Sequence, residues 1–131
     1  MIKKALFASA AVCFAMLVGC ATSATAPGVS NKWRLQVDGN AAAAGKIGLT
    51  MRSAKARIAR VMISIPTATT ENDVARRLRD ELKLKLPADR YEVEVDDGED
   101  VLIKKRGEVE DFEVRVVRNT VKGVNLRITT E

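Results

Sequence analysis

Residues 69–86 read TTENDVARRLRDELKLKL, and this stretch interrupts an otherwise alternating sequence. Its opening residues, Thr69-Thr70-Glu71-Asn72-Asp73, supply an N-cap candidate and early acidic side chains. Apolar residues then recur at the spacing of one helix face: Val74, Ala75, Leu78 and Leu82. Pro87 ends the pattern, because proline cannot continue a helix. The sequence therefore predicts one α-helix over about residues 70–86.

On both sides of this segment, apolar and polar residues alternate with the period of two that is typical of strands. The apolar members are Trp33, Leu35, Val37; Ile47, Leu49, Met51; Val61, Ile63, Ile65; Tyr91, Val93, Val95; Phe112, Val114, Val116; and Val124, Leu126, Ile128. Asp96-Asp97-Gly98-Glu99 has the composition of a hairpin turn between residues 90–96 and 101–105. Trp33 and Tyr91 lie in the apolar register, so we expect both in the core.

These patterns together predict an α+β fold with the element order β-β-β-α-β-β-β-β. About six or seven strands would form a mainly antiparallel, curved sheet with one apolar face and one charged face. The helix would pack on the apolar face, since its own apolar stripe must be buried against something of matching size.

The composition fits one globular domain and narrows the function classes. The chain has 131 residues, 47% hydrophobic and 30% charged, and contains no histidine, the commonest general base and metal ligand. The chain has 22 basic and 17 acidic side chains, which gives a net charge of +5. If the N-terminal segment with Lys3 and Lys4 is removed, the net charge falls to about +3. That balance does not favour a nucleic acid as partner.

Residues 1–20 read MIKKALFASAAVCFAMLVGC, with two lysines before an apolar run that is short for a membrane-spanning helix. The run ends in Leu17-Val18-Gly19-Cys20, which resembles the lipobox of bacterial lipoproteins. The resemblance implies a signal peptide over residues 1–19, cleavage after Gly19, and acyl chains on Cys20 that bind the membrane. It further implies export to the periplasmic face of the outer membrane, since Ala21 replaces the aspartate that often retains such proteins in the inner membrane.

Two other interpretations of the N-terminus remain open at this stage. A plain secretory signal could be cut after Ala24-Thr25-Ala26, although Pro27 would then follow the cut. The apolar run could also remain as an uncleaved anchor. Under the lipoprotein interpretation, residues 20–31 are the lipidated cysteine with a flexible tether, and residues 32–131 are the single domain. Cys13 would be lost with the signal peptide, which leaves no pair of thiols for a disulfide.

Charged side chains supply two candidate surfaces. Seven carboxylates lie between Asp89 and Asp100, including Glu92 and Glu94; calcium binding is one interpretation, but the EF-hand spacing is absent and a solvated hairpin tip is favoured. Two basic groups are candidates for contact with an anionic surface, such as lipid headgroups: Arg52, Lys55, Arg57 and Arg60, then Lys104, Lys105 and Arg106. Ordinary surface charge paired across strands is the alternative.

Catalysis has little support in the sequence. Ser53 and Lys55 would share one face of a strand, as would Glu92 and Glu94, but that spacing is common to any strand. No catalytic residues, metal ligands or cofactor are predicted. We expect a membrane-tethered, non-enzymatic binding or scaffold module of the cell envelope, with an envelope protein as a candidate partner. The alternatives are a carrier of a small apolar or wall-derived ligand and, third, a hydrolase using carboxylates or a Ser/Lys pair.

Overall fold

The computed structural model describes residues 28–131, which contain seven strands and one helix. The elements are β1 (Lys32–Asp38), β2 (Gly45–Ser53), β3 (Arg57–Ile65), α1 (Glu71–Lys85), β4 (Tyr91–Asp96), β5 (Asp100–Lys105), β6 (Phe112–Asn119) and β7 (Asn125–Thr130). The predicted α+β class and the predicted element order are confirmed. The predicted signal peptide, Cys20 and most of the predicted tether lie outside the described residues.

Helix α1 begins and ends where its sequence provides caps. The Thr70 side chain accepts a hydrogen bond from the Asp73 amide at 3.3 Å, which satisfies one of the free N–H groups of the first turn. At the other end, Leu86 adopts an extended conformation just before Pro87. The buried residues of α1 are the predicted stripe: Val74, Ala75, Leu78 and Leu82.

The seven strands form two antiparallel sheets rather than one continuous sheet. One has the strand order β4-β5-β1-β7 and the other β3-β2-β6. Strands β6 and β7 follow each other along the chain, yet β6 pairs with β2 and β7 pairs with β1. The register of β6 on β2 shifts between Gly48 and Leu49, which leaves Val117 as an extra residue. A bulge of this kind bends a strand and increases its twist.

The core lies between the two sheets and α1. The helix contacts β3 of the three-stranded sheet and β1, β4 and β5 of the four-stranded sheet, so it spans both. The largest fully buried side chains include Trp33, Phe112, Leu35, Ile47, Leu49 and Leu78. The predicted apolar faces of the strands therefore meet a shared core, although they belong to two sheets.

Trp33 connects the two sheets by a buried hydrogen bond. Its indole Nε1 on β1 donates to the Phe112 carbonyl on β6 at 2.7 Å. The ring of Tyr91 meets the Phe112 ring edge to face, with centroids 5.4 Å apart, a favoured aromatic arrangement. Trp33 and Tyr91 are both buried, as predicted.

The Phe112 backbone also forms two hydrogen bonds with the backbone of Ser30. Its carbonyl accepts from the Ser30 amide at 2.8 Å, and its amide donates to the Ser30 carbonyl at 2.9 Å. Phe112 is paired with Ser53 on its other side. We call this end of the domain, where residues 53–57 and 106–111 also lie, the Ser30 end.

At the opposite end of the domain, the β1–β2 connection (residues 39–44) and the β6–β7 connection (residues 120–124) are in close contact. Each of them joins one sheet to the other. Gly39 has φ +87°, and a Cβ there would lie 2.1 Å from the Gly123 carbonyl oxygen. Gly123 has φ +86°, and its Cβ would lie 2.4 Å from the Asn40 carbonyl oxygen. Both positions therefore require glycine for its left-handed conformation and for the close approach of backbone to backbone.

The first prediction concerns this contact. Gly39→Ala should destabilise the protein by at least ~3 kcal/mol, because the backbone of the 120–124 connection must move. Gly107→Ala is the matched control, since Gly107 has φ +61° but no atom of the described residues lies within 4 Å of its Cβ position. The free energy of unfolding of this variant should fall by only roughly 1–2 kcal/mol, which is the cost of an alanine in the left-handed conformation. Equal losses in urea unfolding would contradict the proposed steric role of Gly39.

The second prediction concerns the link between the sheets. Trp33→Phe should lower the free energy of unfolding by about 2–4 kcal/mol, through a lost buried hydrogen bond and a smaller side chain. Tyr91→Phe is the control, because the Tyr91 hydroxyl has no hydrogen-bond partner within residues 28–131 and the ring contact is retained. It should change stability by no more than about 0.5 kcal/mol. A Trp33→Phe variant as stable as the control would show that the hydrogen bond does not hold the sheets together.

Candidate interaction surface

The outer face of the three-stranded sheet is strongly basic. The cross-strand register and the alternation of buried and exposed positions place six basic side chains on it: Lys46, Arg52, Arg57, Arg60, Arg115 and Arg118. The same register gives this face one carboxylate, Glu113, opposite Arg52. We call this surface the basic sheet face.

Most of these charges are not neutralised by the protein itself. Arg115 donates a hydrogen bond to Glu113. The other five, Lys46, Arg52, Arg57, Arg60 and Arg118, form no ion pair with any carboxylate in the part of the chain that the structure describes. Arg52 lies directly opposite Arg57 on the neighbouring strand, and like charges in that position repel.

Two exposed apolar side chains occupy the middle of the basic sheet face. Met62 on β3 is 39% exposed and Val117 on β6 is 49% exposed. Gly48 lies between them on β2, and a Cβ there would approach Met62 Cε to 3.2 Å and Val117 Cγ2 to 3.3 Å. Because Gly48 has no side chain, Met62 and Val117 can both lie close to the backbone of β2. The face therefore has a small apolar centre with basic side chains near it.

The outer face of the four-stranded sheet is different, because most of its basic side chains are paired with carboxylates. Arg127 on β7 is the exception among the described residues. Arg34 on β1 binds three carboxylates, with Nη1 2.5 Å from Asp100, Nη2 3.2 Å from Asp96, and Nε hydrogen-bonded to Glu131. On the adjacent strands, Lys104 Nζ lies 3.5 Å from Glu92. Acidic and basic side chains therefore offset each other on this sheet.

Burial and hydrogen bonding set the electrostatics of the Arg34 cluster. Hydrogen bonds to Glu131 and Asp100 raise the pKa of Arg34 above its usual value, and the hydrogen bond from Arg34 holds the pKa of Glu131 below its usual value. Asp100 is buried, and its Oδ1 has no hydrogen-bond partner among residues 28–131, while Oδ2 accepts from Arg34. Arg34 is thus the side chain that pairs with this buried carboxylate.

The structure separates the seven basic residues identified from the sequence. Three of them, Arg52, Arg57 and Arg60, lie on the basic sheet face. Lys55 lies in the turn after β2 and pairs with Glu110 at 2.9 Å, which raises the pKa of Lys55 and lowers that of Glu110.

The second predicted group belongs to the four-stranded sheet and the loop after it. Lys104 and Arg106 both approach Glu92, at 3.5 Å and 3.6 Å, and Lys105 lies 2.6 Å from Asp111. The two predicted groups therefore do not form one surface.

Three members of the basic sheet face were missed by sequence reasoning: Lys46, Arg115 and Arg118. Lys46 and Arg115 occupy polar positions in alternating runs, so the alternation could have assigned them to the charged face once β2 and β6 were known to be neighbours. Arg118 follows the bulge at Val117, which changes the side-chain alternation and hides the residue from a strict period of two.

The candidate catalytic pairs are placed in structural roles. Strand β2 ends at Ser53, so Lys55 does not share its strand face as expected; Ser53 Oγ instead accepts from the amides of Lys55 and Ala56 at 3.3 Å and 3.2 Å. Glu92 and Glu94 do share the outer face of β4, where both approach Lys104. The predicted hairpin joins β4 to β5.

An open depression of about 780 Å³ lies at the Ser30 end, between residues 53–58, 87–91 and 106–110. Its lining carries three arginines, Arg57, Arg90 and Arg106, and three carboxylates, Asp89, Glu108 and Glu110. This equal mixture gives the depression no preference for a charged ligand of either sign. Among residues 28–131, no group of three or more metal-ligating side chains is arranged to hold an ion, and no helix is long and apolar enough to cross a membrane.

The third prediction uses the ion pair of Glu131. The folded protein holds the pKa of the Glu131 carboxyl below its usual value of about 4.3. The ion pair therefore contributes its full stabilisation above about pH 4.3. This contribution is lost as the pH falls through the pKa that the carboxyl has in the folded protein. Glu131→Gln should therefore be less stable than the wild type at pH 7, and the difference should shrink towards pH 3.

Urea unfolding at several pH values measures this difference. Glu108→Gln is the control, since Glu108 is exposed and forms no ion pair among the described residues, and it should cost less at pH 7. A Glu131→Gln difference that does not change with pH would contradict the role assigned to this carboxylate.

Compared with protein-family models, with curated proteins and with solved structures, the chain matches none of them. What the domain binds is therefore inferred from the charge, exposure and placement of its own side chains.

Proposed function

We propose that this chain is a lipid-anchored protein of the cell envelope whose folded domain is a non-enzymatic binding module. The observation that carries the proposal is the basic sheet face, where five exposed basic side chains have no carboxylate partner within residues 28–131. Exposed like charges repel one another and make the folded state less stable. An anionic partner would relieve that repulsion, whereas the outer face of the other sheet offers less gain, because Arg34 and Lys104 there are already paired.

The lipid anchor is proposed from the residues before the domain. Leu17-Val18-Gly19-Cys20 resembles the lipobox, and acylation of Cys20 would hold the chain on a membrane, because two or more acyl chains bind durably. Ser30 is ten positions after Cys20 in the sequence, so the domain would remain within ~33–36 Å of its attachment point. The proposed location is the periplasmic face of the outer membrane, and an envelope protein remains a candidate partner.

The filled core favours a binding module over a carrier. An internal ligand would have to displace side chains that are fully buried, among them Leu78 and Leu82 of α1. The hydrolase alternative has less support, because Ser53 accepts hydrogen bonds from its own turn and Glu92 is engaged by Lys104.

The fourth prediction tests the anchor in the full-length protein. Cells expressing the wild-type chain and supplied with a labelled palmitate analogue should yield a labelled protein in the membrane fraction. Cys20→Ala should lose the label and the membrane association, since its side chain cannot form the thioether. The matched control is Cys13→Ala, which removes the other thiol and should keep both.

The same experiment can contradict the proposal. Label that persists in Cys20→Ala, or a wild-type protein that carries none, would rule out acylation at Cys20. Separation of inner and outer membranes by density then tests the location, and recovery of the wild-type protein with the inner membrane would contradict the outer-membrane assignment.

A further inference from the structure

We infer that the basic sheet face is a membrane-docking surface that lies against the anionic phospholipid headgroups of the bilayer to which the chain is anchored. The inference rests on the proposed function for the anchor and names the partner of its binding surface. It is argued from the charge of the face, its shape, its apolar centre and the place where the chain leads to Cys20.

The charge of the face complements a layer of lipid phosphates. Six basic side chains and one carboxylate occupy it, and its five unpaired basic side chains are free to meet external anions. Basic side chains near an anionic membrane each gain roughly five-fold in binding. The other sheet has much less of this complementarity, because Arg34 and Lys104 are already bound to carboxylates and only Arg127 is left unpaired among its described outer-face cations.

The spread of the charges favours a surface over a small ligand. Lys46 and Arg52 are six residues apart on β2, which corresponds to about 20 Å along the strand. Arg60 and Arg118 lie on the strands that flank β2, about 9–10 Å apart across the sheet. A single phosphate needs converging donors, whereas these side chains are spread along and across the sheet and match an extended array of phosphates.

The apolar centre adds a second feature of membrane contact. Met62 and Val117 are exposed at the middle of the face, between basic side chains along the strands. On the side of α1, Met62 also lines a depression with Asp80 and Glu81. Interfacial proteins place apolar side chains at the level of the headgroups while their basic residues meet the phosphates. With this face on the membrane, Met62 and Val117 would leave water.

The position of Ser30 allows this orientation. Ser30 pairs with Phe112 at the start of β6, which is an edge strand of the same three-stranded sheet. The chain therefore leaves the domain beside the basic sheet face, and the nine residues between Cys20 and Ser30 can reach the bilayer when the face lies flat on it. A tether of this length gives an effective concentration in the millimolar range, so weak contacts suffice to orient the domain.

The test uses full-length, lipidated protein in phosphatidylcholine vesicles with and without phosphatidylglycerol. In a Cys13→Ala background, a fluorophore is attached to Ser64→Cys, on the basic sheet face opposite Lys46, or to Thr129→Cys, on the outer face of β7. A spin-labelled lipid reports contact by quenching. The Ser64 probe should be quenched in vesicles containing phosphatidylglycerol, and much less in neutral vesicles, while the Thr129 probe should stay unquenched in both.

Charge variants make the test specific to the face. Arg60→Gln with Arg118→Gln should lower the contact equilibrium of the Ser64 probe about 25-fold in anionic vesicles. Lys83→Gln with Lys85→Gln removes the same charge from exposed positions at the end of α1 and should change it little. Salt at 1 M should abolish the quenching of the wild-type protein, because the screening length falls to about 3 Å.

Flotation of the same samples separates this inference from the anchor. Protein that floats with neutral vesicles but shows no quenching of the Ser64 probe in anionic ones supports the anchor and overturns the docking surface. Equal quenching of the Thr129 probe, or equal losses in the two charge variants, also overturns it. Flotation with anionic vesicles alone, lost in the Arg60/Arg118 variant, would support the docking surface and overturn the anchor.

Discussion

The buried hydrogen bond from Trp33 to the Phe112 carbonyl is the contact on which the arrangement of this domain depends. It joins β1 to β6, and so the four-stranded sheet to the three-stranded sheet, at the end where Ser30 enters. Because one carbonyl accepts from both Trp33 and Ser30, the position of the incoming chain is fixed by the same group that fixes the sheets. The core and the point of attachment therefore cannot move independently.

Division into two sheets gives the molecule two separate outer faces. In a single continuous sheet, the charged side chains of all strands would lie on one surface. The acidic side chains of β4 and the basic side chains of β3 would then share that surface. The bulge at Val117 and the corner that follows it, where Asn119 donates to the Val124 carbonyl at 2.9 Å, turn the chain from one sheet to the other. The backbone thereby separates a paired set of charges from an unpaired one.

The sequence predicts the elements well because their causes are local. Helix α1 follows from the cap at Thr70 and the stripe from Val74 to Leu82, and the strands follow from alternation. The split into sheets depends on contacts far apart in sequence, such as Trp33 with Phe112. No local pattern encodes that contact, so one curved sheet was the simplest arrangement consistent with the alternation.

The basic sheet face was only partly predictable for the same reason. Arg52, Arg57 and Arg60 are close in sequence and stand out as a basic group. Arg118 joins them only because β6 pairs with β2 and brings it opposite Gly48. Nearness in sequence also grouped Lys104 with its neighbours, although β4 supplies carboxylates for it. Which basic residues remain unpaired is thus a property of strand pairing.

The fold does not require the basic sheet face to be unpaired, as a comparison with the other sheet shows. The other sheet buries an equivalent apolar face while pairing Arg34 with carboxylates on the outside. Outer-face side chains do not contribute to the shared core, so acids on β2 or β3 could have neutralised Arg52 and Arg60 without disturbing it. Repulsion between such exposed cations lowers stability, and a bound anionic surface removes that cost. The unpaired face is therefore better explained by what it binds than by how the domain folds.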